Sequence, residues 1–176
     1  MSQSSNDPML RFLPPEAPRA RPPEYEPVDW RWFWAIVGLA MVLRAGYFSG
    51  HVKTIYFSQP ILEARQHFEA ALRAADRVEG AGYSTFDPPL YTAALGGLYR
   101  ILNPPIRLPA TYILQHGLGV LTVALVFLTA RRIASRGPAI VASVLTATYG
   151  PLAAVSNDVL PNALIALELA ALAYLL

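Results

Sequence analysis

Four apolar runs of membrane-spanning length constrain this chain more than any other feature. They occupy residues 30–48, 111–130, 138–155 and 159–176. An α-helix rises about 1.5 Å per residue, so about 20 residues are needed to cross the hydrocarbon core of a bilayer. The composition agrees with such spans, since 54% of the residues are hydrophobic and only 15% are charged. We therefore predict an all-α polytopic membrane protein with about four transmembrane helices.

The distribution of arginine predicts how these helices are oriented. Cytoplasmic segments of membrane proteins carry an excess of Lys and Arg. The two arginine-rich segments are the N-terminal segment and the 131–137 turn, which hold Arg11, Arg19, Arg21 and Arg31, and Arg131, Arg132 and Arg136. We predict that both lie inside, which places the N-terminus in the cytoplasm and the 49–109 loop outside the inner (cytoplasmic) membrane.

The segments outside the apolar runs differ in character. Residues 1–29 are rich in proline and polar side chains and cannot bury enough apolar surface to fold, which predicts a disordered cytoplasmic tail. The alternative is a polyproline-type ligand for a partner protein. In the long first extracytoplasmic loop, 49–109, apolar positions recur at helical spacing over 59–78 and predict an interfacial amphipathic helix. A second helix is predicted over 89–102, N-capped by Asp87, and its apolar core is too short to span the membrane.

The composition also limits the partners of this chain. The absence of cysteine excludes a disulfide framework and a thiolate metal site. The net charge of +2, with arginines scattered among acids, argues against nucleic acid as a partner. The lipid bilayer is the partner that the apolar runs require, and the sequence leaves the oligomeric state open.

Several short motifs fall in an order and spacing that is typical of one family. They are Gln59-Pro60-Ile61-Leu62-Glu63-Ala64-Arg65, Asp87-Pro88-Pro89-Leu90-Tyr91, Gln115, Ala130-Arg131-Arg132, Tyr149-Gly150-Pro151 and Leu160-Pro161. From residue 32 to residue 176, the chain resembles the N-terminal part of bacterial GT-C type membrane glycosyltransferases, in particular the family 39, protein-mannosyltransferase-like group. The Pro-Pro-Leu-Tyr segment at 88–91 carries the most specific part of this resemblance.

This resemblance implies a fold and a sugar donor. Members of the family 39 group have many more spans than four, a long first extracytoplasmic loop and a polyprenyl-phosphate-linked sugar donor, and some use a divalent cation. We therefore expect this chain to be a fragment of a larger enzyme and to be inactive alone. The family places a catalytic acid, normally Asp, shortly after the first span, and Glu63 occupies that position here. Some members place a second acid where this chain has Asp158.

Sugar transfer requires a base that accepts the proton of the acceptor hydroxyl. Glu63 is the first candidate for this role, and the alternative is a solvated helix acid paired with Arg65 or His67. Asp158 is the second catalytic candidate, and the alternative is an N-cap of the fourth predicted span.

Sugar transfer also requires groups that stabilise the departing phosphate. Arg44 lies near the outer end of the first predicted span, where it either faces a phosphate or extends to the lipid headgroups. Arg65, His67 and Tyr91 are further candidates for binding the donor. No cluster of side chains requires a metal, and the divalent cation used by some relatives stays open.

Three polar side chains lie inside predicted spans, at Gln115, His116 and Glu168. Polar groups at such depth usually face other helices, and an intramembrane acid indicates either a functional site or packing inside the bundle.

The sequence thus predicts a membrane glycosyltransferase that acts on an extracytoplasmic acceptor. A non-catalytic polytopic membrane protein that has lost the family's activity is the first alternative. A transporter ranks third, because the chain shows no internal repeat and no paired intramembrane charges.

Overall fold

The computed structural model describes residues 28–76 and 88–176, and within these ranges every regular element is a helix. Most of the predicted tail at 1–29 and the predicted cap Asp87 lie outside the described residues. Single 3₁₀ turns at Ile55–Phe57 and Val155–Asn157 interrupt the α-helices. The α-helices are α1 (Trp30–His51), α2 (Leu62–Asp76), α3 (Pro89–Ile101), α4 (Pro104–Ile133), α5 (Arg136–Thr148), α6 (Gly150–Ala154) and α7 (Asn162–Leu175).

Two or three of the described helical segments are candidate membrane spans, so the predicted four spans are not confirmed. The helices α1 and α4, with 22 and 30 residues, are long and apolar enough to cross a bilayer. A third span forms only if α5 and the turns after it act together, and these are bent by 51°. The helix α7 has 14 residues, or about 21 Å of rise, which is short of a hydrocarbon core of about 30 Å.

Prolines explain why the last two predicted spans differ from the observed helices. The predicted 138–155 span breaks at Tyr149, where α5 ends in an extended conformation and α6 begins at Gly150, with Pro151 in its first turn. A proline inside a helix removes a backbone hydrogen bond and clashes with the preceding turn. In the predicted 159–176 span, Pro161 is the N-cap, so that helix starts only at Asn162.

The helix α4 is longer than the predicted 111–130 span, and it therefore shortens the 49–109 loop. It begins at Pro104, because Pro104 and Pro105 occupy the first helical turn, where the missing N–H costs nothing. Its 30 residues rise about 45 Å, so its ends extend beyond a hydrocarbon core of about 30 Å.

The helix α4 is also the centre of the bundle, packing against α1, α5 and α7. One buried cluster joins α1 to α4 and α5, and the ring of Phe127 lies 6.0 Å from that of Phe33. Its fully or nearly fully buried members are Ile36, Ala40, Val123, Phe127, Ala139 and Ala147.

Polar contacts place several helix ends at the same end of the bundle. Asp29, at the start of α1, forms an ion pair with Arg136 at 3.5 Å. Arg132 donates to the backbone oxygen of Tyr174, and its guanidinium lies 3.7 Å from the Tyr174 ring centroid. The start of α1, the α4–α5 turn and the end of α7 therefore lie together. Of the arginine-rich segments, Arg31 and the 131–137 turn thus lie at one end of the bundle, as predicted, and the identity of that side remains a prediction.

Cysteine labelling in intact cells tests which side this is. The sequence has no cysteine, so a single introduced thiol reports its own position. Ser58 and Ser135 are both exposed, one in the first loop and one in the α4–α5 turn. We expect an impermeant thiol reagent to label Ser58→Cys in intact cells and Ser135→Cys only after permeabilisation. Labelling of Ser135→Cys alone in intact cells would reverse the predicted orientation.

The first loop contains a helical hairpin of α2 and α3. Ala71 and Ala75 of α2 are buried with Leu95 and Tyr99 of α3 in one apolar cluster. The amphipathic helix predicted over 59–78 is thus present at Leu62–Asp76, but its location on the membrane surface is not confirmed, because its apolar face packs against α3. As predicted, α3 is short, with 13 residues, and is not among the helices that meet the length and composition of a span.

Gly96 sets the spacing of this hairpin. A Cβ at Gly96 would lie 2.8 Å from the Cβ of Ala74, whereas one at the adjacent Gly97 would meet nothing within 4 Å. We expect Gly96→Ala to lower the free energy of unfolding by about 1–3 kcal/mol, because the helices must move apart. Gly97→Ala is the matched control, and we expect it to raise that free energy by about 0.5–1 kcal/mol through helix propensity. Equal effects in thermal or denaturant unfolding would contradict the close packing.

Candidate functional site

A cavity of about 700 Å³ lies where the start of α2 meets the segment between α6 and α7. It is at the end of the bundle opposite the Asp29–Arg136 ion pair, since α5 leads from that pair toward it. Two acids far apart in the sequence, Glu63 and Asp158, both line it. The full lining is Tyr56, Ile61, Leu62, Glu63, Ala64, Gln66, Asp158 and Leu160.

Glu63 reaches the cavity from the first turn of α2 and is exposed. The preceding residue, Leu62, has a φ of 51°, the left-handed region that branched residues rarely adopt. Such a backbone costs on the order of 1–3 kcal/mol and is most often found at functional sites. An acid in a first helical turn is also favoured by the helix dipole, so its position alone does not assign Glu63 a role.

Asp158 lines the same cavity. Its backbone is extended and directly follows the 3₁₀ turn Val155–Asn157. The alternative that Asp158 caps the next helix is wrong, because α7 starts at Asn162 with Pro161 as its N-cap. The carboxylate is exposed in the cavity and lies close enough to His51 and Tyr112 to interact with them electrostatically.

The cations predicted for a donor phosphate do not line this cavity. Arg44 is only 2% exposed and donates through Nη1 to the hydroxyl of Ser156 at 2.9 Å. Its guanidinium is therefore inside the bundle and does not extend to the headgroups. The side chain of Arg65 is 70% exposed and pairs with Glu69 at 2.8 Å rather than with Glu63. Among the described residues that line the cavity, none is positively charged.

Tyr91 and His67 lie together and do not line the cavity. Their ring centroids are 6.0 Å apart in an edge-to-face arrangement. Tyr91 is buried, and its hydroxyl accepts a hydrogen bond of 2.5 Å from Gln115 Nε2. Burial raises the pKa of the Tyr91 phenol, so the phenol stays protonated and cannot serve as a base.

Glu168, the acid predicted to lie inside a span, is exposed on α7.

Two residues of the cavity lining, Tyr56 and Gln66, belong to none of the motifs or candidate residues identified from the sequence. Gln66 follows Glu63 by three positions on one helix, and such residues share a face, so helical spacing was a usable signal for it. Tyr56 comes from the separate 3₁₀ turn Ile55–Phe57, and no local pattern marks it.

No group of three or more His, Cys, Asp or Glu side chains that can hold a metal ion occurs within 28–76 and 88–176. Mg²⁺ is usually held by one or two carboxylates together with waters and substrate phosphates, so the divalent cation used by some relatives stays a prediction.

The fold and the cavity define a class: a helical protein with two or three candidate membrane spans and a two-carboxylate cavity at one end of its bundle. No protein-family model matches the chain, and comparisons with curated proteins and with solved structures found no significant match.

Proposed function

We propose that this chain belongs to a membrane glycosyltransferase that transfers a sugar from a polyprenyl-phosphate-linked donor to a hydroxyl of an extracytoplasmic acceptor. One observation carries the proposal. Glu63 and Asp158, from segments distant in sequence, line one cavity of about 700 Å³. Small-molecule sites typically enclose roughly 300–1,000 Å³, and two carboxylates accept hydrogen bonds from the hydroxyl groups of a sugar.

The proposed reaction assigns each acid a separate task. The acceptor oxygen attacks the anomeric carbon of the donor sugar, and Glu63 accepts its proton as a general base. The new glycosidic C–O bond replaces the bond from the anomeric carbon to the phosphate oxygen, which leaves as polyprenyl phosphate with the electron pair. Asp158 accepts hydrogen bonds from the sugar and holds it in the orientation for attack.

The apolar side of the cavity suits a lipid-linked ligand. Ile61 and Leu62 are 50% and 80% exposed and lie directly before Glu63. An isoprenoid chain can bury this apolar surface while its sugar reaches the carboxylates. A phosphate placed between two carboxylates would be repelled, so the cavity is assigned to the sugar and the acceptor rather than to the phosphate.

The second candidate is a non-catalytic membrane protein that binds a sugar or a glycolipid. The observation that favours it is the absence of a cation among the described cavity-lining residues, because phosphoryl leaving groups are normally stabilised by positive charge. It predicts donor binding without transfer.

A transfer assay distinguishes the two candidates. Membranes from cells that express the protein from its complete gene are incubated with a panel of polyprenyl-phosphate sugars labelled in the sugar. We expect labelled acceptor and released polyprenyl phosphate with at least one donor, and loss of both in a Glu63→Gln/Asp158→Asn double variant. Asp76→Asn, which neutralises an exposed acid at the other end of α2, is the matched control and should retain transfer.

The transfer assay can overturn the proposal in two ways. Transfer no faster than in membranes without the protein overturns the proposal, and so does undiminished transfer by the double variant. Retained binding of a labelled donor in the absence of any transfer by the parental protein assigns the second candidate.

A further inference from the structure

Buried polar side chains form hydrogen bonds to residues 155–160, the segment that contains Asp158. Arg44 Nη1 donates to Ser156 Oγ at 2.9 Å, and this hydroxyl in turn donates to the backbone oxygen of Leu152 at 3.1 Å. His116 Nε2 lies 2.9 Å from Asn157 Oδ1, a hydrogen bond in which the ring nitrogen donates. The two residues held by these contacts, Ser156 and Asn157, immediately precede Asp158 in the chain.

A third contact holds the segment on the other side of Asp158. Gln115 Nε2 donates to the backbone oxygen of Leu160 at 3.3 Å as well as to the hydroxyl of Tyr91. Val159 is completely buried in the apolar cluster between the α2–α3 hairpin and α4. Asp158 is therefore an exposed residue between neighbours that are fixed on both sides.

Gly119 makes room for the deepest of these contacts. A Cβ at Gly119 would overlap the guanidinium of Arg44, whereas one at Gly117 would meet nothing within 4 Å. The guanidinium thus crosses from α1 over the backbone of α4 to reach Ser156. The side chains of Gln115 and His116 leave the same helix one turn earlier.

We infer that Arg44, Gln115 and His116 are positioning residues that fix the 155–160 segment and thereby keep the Asp158 carboxylate in the cavity opposite Glu63. This inference rests on the proposed function for its catalytic consequence, while the anchoring itself does not depend on it. The three side chains come from α1 and α4, the two helices that most clearly meet the criteria for spans. The rigid part of the bundle therefore sets the geometry of one catalytic acid.

The sharpest test removes a single oxygen. Ser156→Ala deletes the acceptor of Arg44 and changes almost nothing else in volume. Ser143 is the matched control, because it is equally buried and, among the described residues, its hydroxyl bonds to Ala139 of its own helix, at 2.7 Å. Hydrogen exchange of the 155–160 amides in the full protein in nanodiscs measures how often the segment opens.

We expect the 155–160 amides to exchange about ten- to hundredfold faster in Ser156→Ala, as for loss of a buried hydrogen bond to a charged donor. In the transfer assay we expect kcat to fall about tenfold or more with KM within about twofold, because a misplaced carboxylate affects the reaction step. Ser143→Ala should change neither quantity by more than about twofold.

A pair of glycine variants tests the same anchor from the opposite side. Gly119→Ala must displace the Arg44 guanidinium and should accelerate exchange of the same amides, while Gly117→Ala should not. Because the two substitutions are chemically identical and two positions apart, a general effect on α4 would appear in both.

Exchange and transfer separate a failure of the anchor from a failure of the proposed function. Unchanged 155–160 exchange in both Ser156→Ala and Gly119→Ala overturns the inference, whatever the activity. Faster exchange with an unchanged kcat in an active protein overturns the positioning role. If the parental protein transfers no sugar, the proposed function fails, and faster exchange in both variants still supports the anchor.

Discussion

Glu63→Gln is expected to lower the rate of sugar transfer by about 10²–10⁴-fold, the usual cost of removing a general base. The amide keeps the size of the side chain and one acceptor oxygen but cannot accept the acceptor's proton. Glu63 is exposed at the start of α2 and lines the cavity, so its neutralisation should leave the fold intact, with a change in stability below about 0.5 kcal/mol. Rate and stability are therefore expected to respond very differently.

Two further variants sharpen this expectation. Glu69→Gln is the same substitution on the same helix, at a residue that pairs with Arg65 and does not line the cavity, and it should transfer at close to the parental rate. Glu63→Asp introduces the acid that is usual in the family the sequence resembles, and it should retain or raise activity. If Glu63→Gln transfers at the parental rate, Glu63 is a surface acid only, and Asp158 becomes the next candidate base.

The long helices were predictable because a span leaves a strong and local signal. The apolar runs at 30–48 and 111–130 correspond to α1 and α4, and only their ends were displaced. The break after Thr148 was also present in the sequence as Gly150-Pro151, but a run of apolar residues outweighed it. Hydropathy reports the environment of a segment and is insensitive to one missing backbone hydrogen bond.

Each of the two acids could be predicted as a candidate from the sequence, but their location in one cavity could not. Glu63 and Asp158 were singled out by the motifs around them, whereas their shared cavity depends on how α2 and the 155–160 segment pack on the bundle. The hairpin of α2 and α3 depends in turn on Gly96, whose close contact with Ala74 has no counterpart in local periodicity. Tertiary packing of this kind is invisible to a window of neighbouring residues.

Arg44 shows the same limit most clearly. Near the end of an apolar run, an arginine is normally expected to extend toward the headgroups, and the sequence gives no reason to expect otherwise. Its burial requires the bare backbone of Gly119 on α4 and the hydroxyl of Ser156, which lie far from it in sequence. These three residues meet only in the folded bundle, so the position of Arg44 could not be read from its neighbours in sequence.

Arg44→Ala is accordingly expected to lower the free energy of unfolding by about 3 kcal/mol, from a cavity beside Gly119 and a lost charged hydrogen bond. Arg65→Ala makes the same substitution at an exposed ion pair on α2 and should cost less than about 1 kcal/mol. Denaturant or thermal unfolding in the same detergent or nanodisc compares the two directly. Equal costs for both variants would mean that Arg44 contributes no more than a surface arginine.

A double-mutant cycle identifies the source of the Arg44 effect. If the hydrogen bond to Ser156 Oγ carries part of the cost, Ser156→Ala should destabilise the parental protein more than it destabilises Arg44→Ala. The coupling expected for residues in direct contact is about 0.5–3 kcal/mol, whereas additive costs would assign the whole effect to the cavity. Arg44→Met separates the two contributions again, since it fills most of the volume and cannot donate. It should therefore recover the cavity part of the stability and leave the 155–160 segment without its anchor.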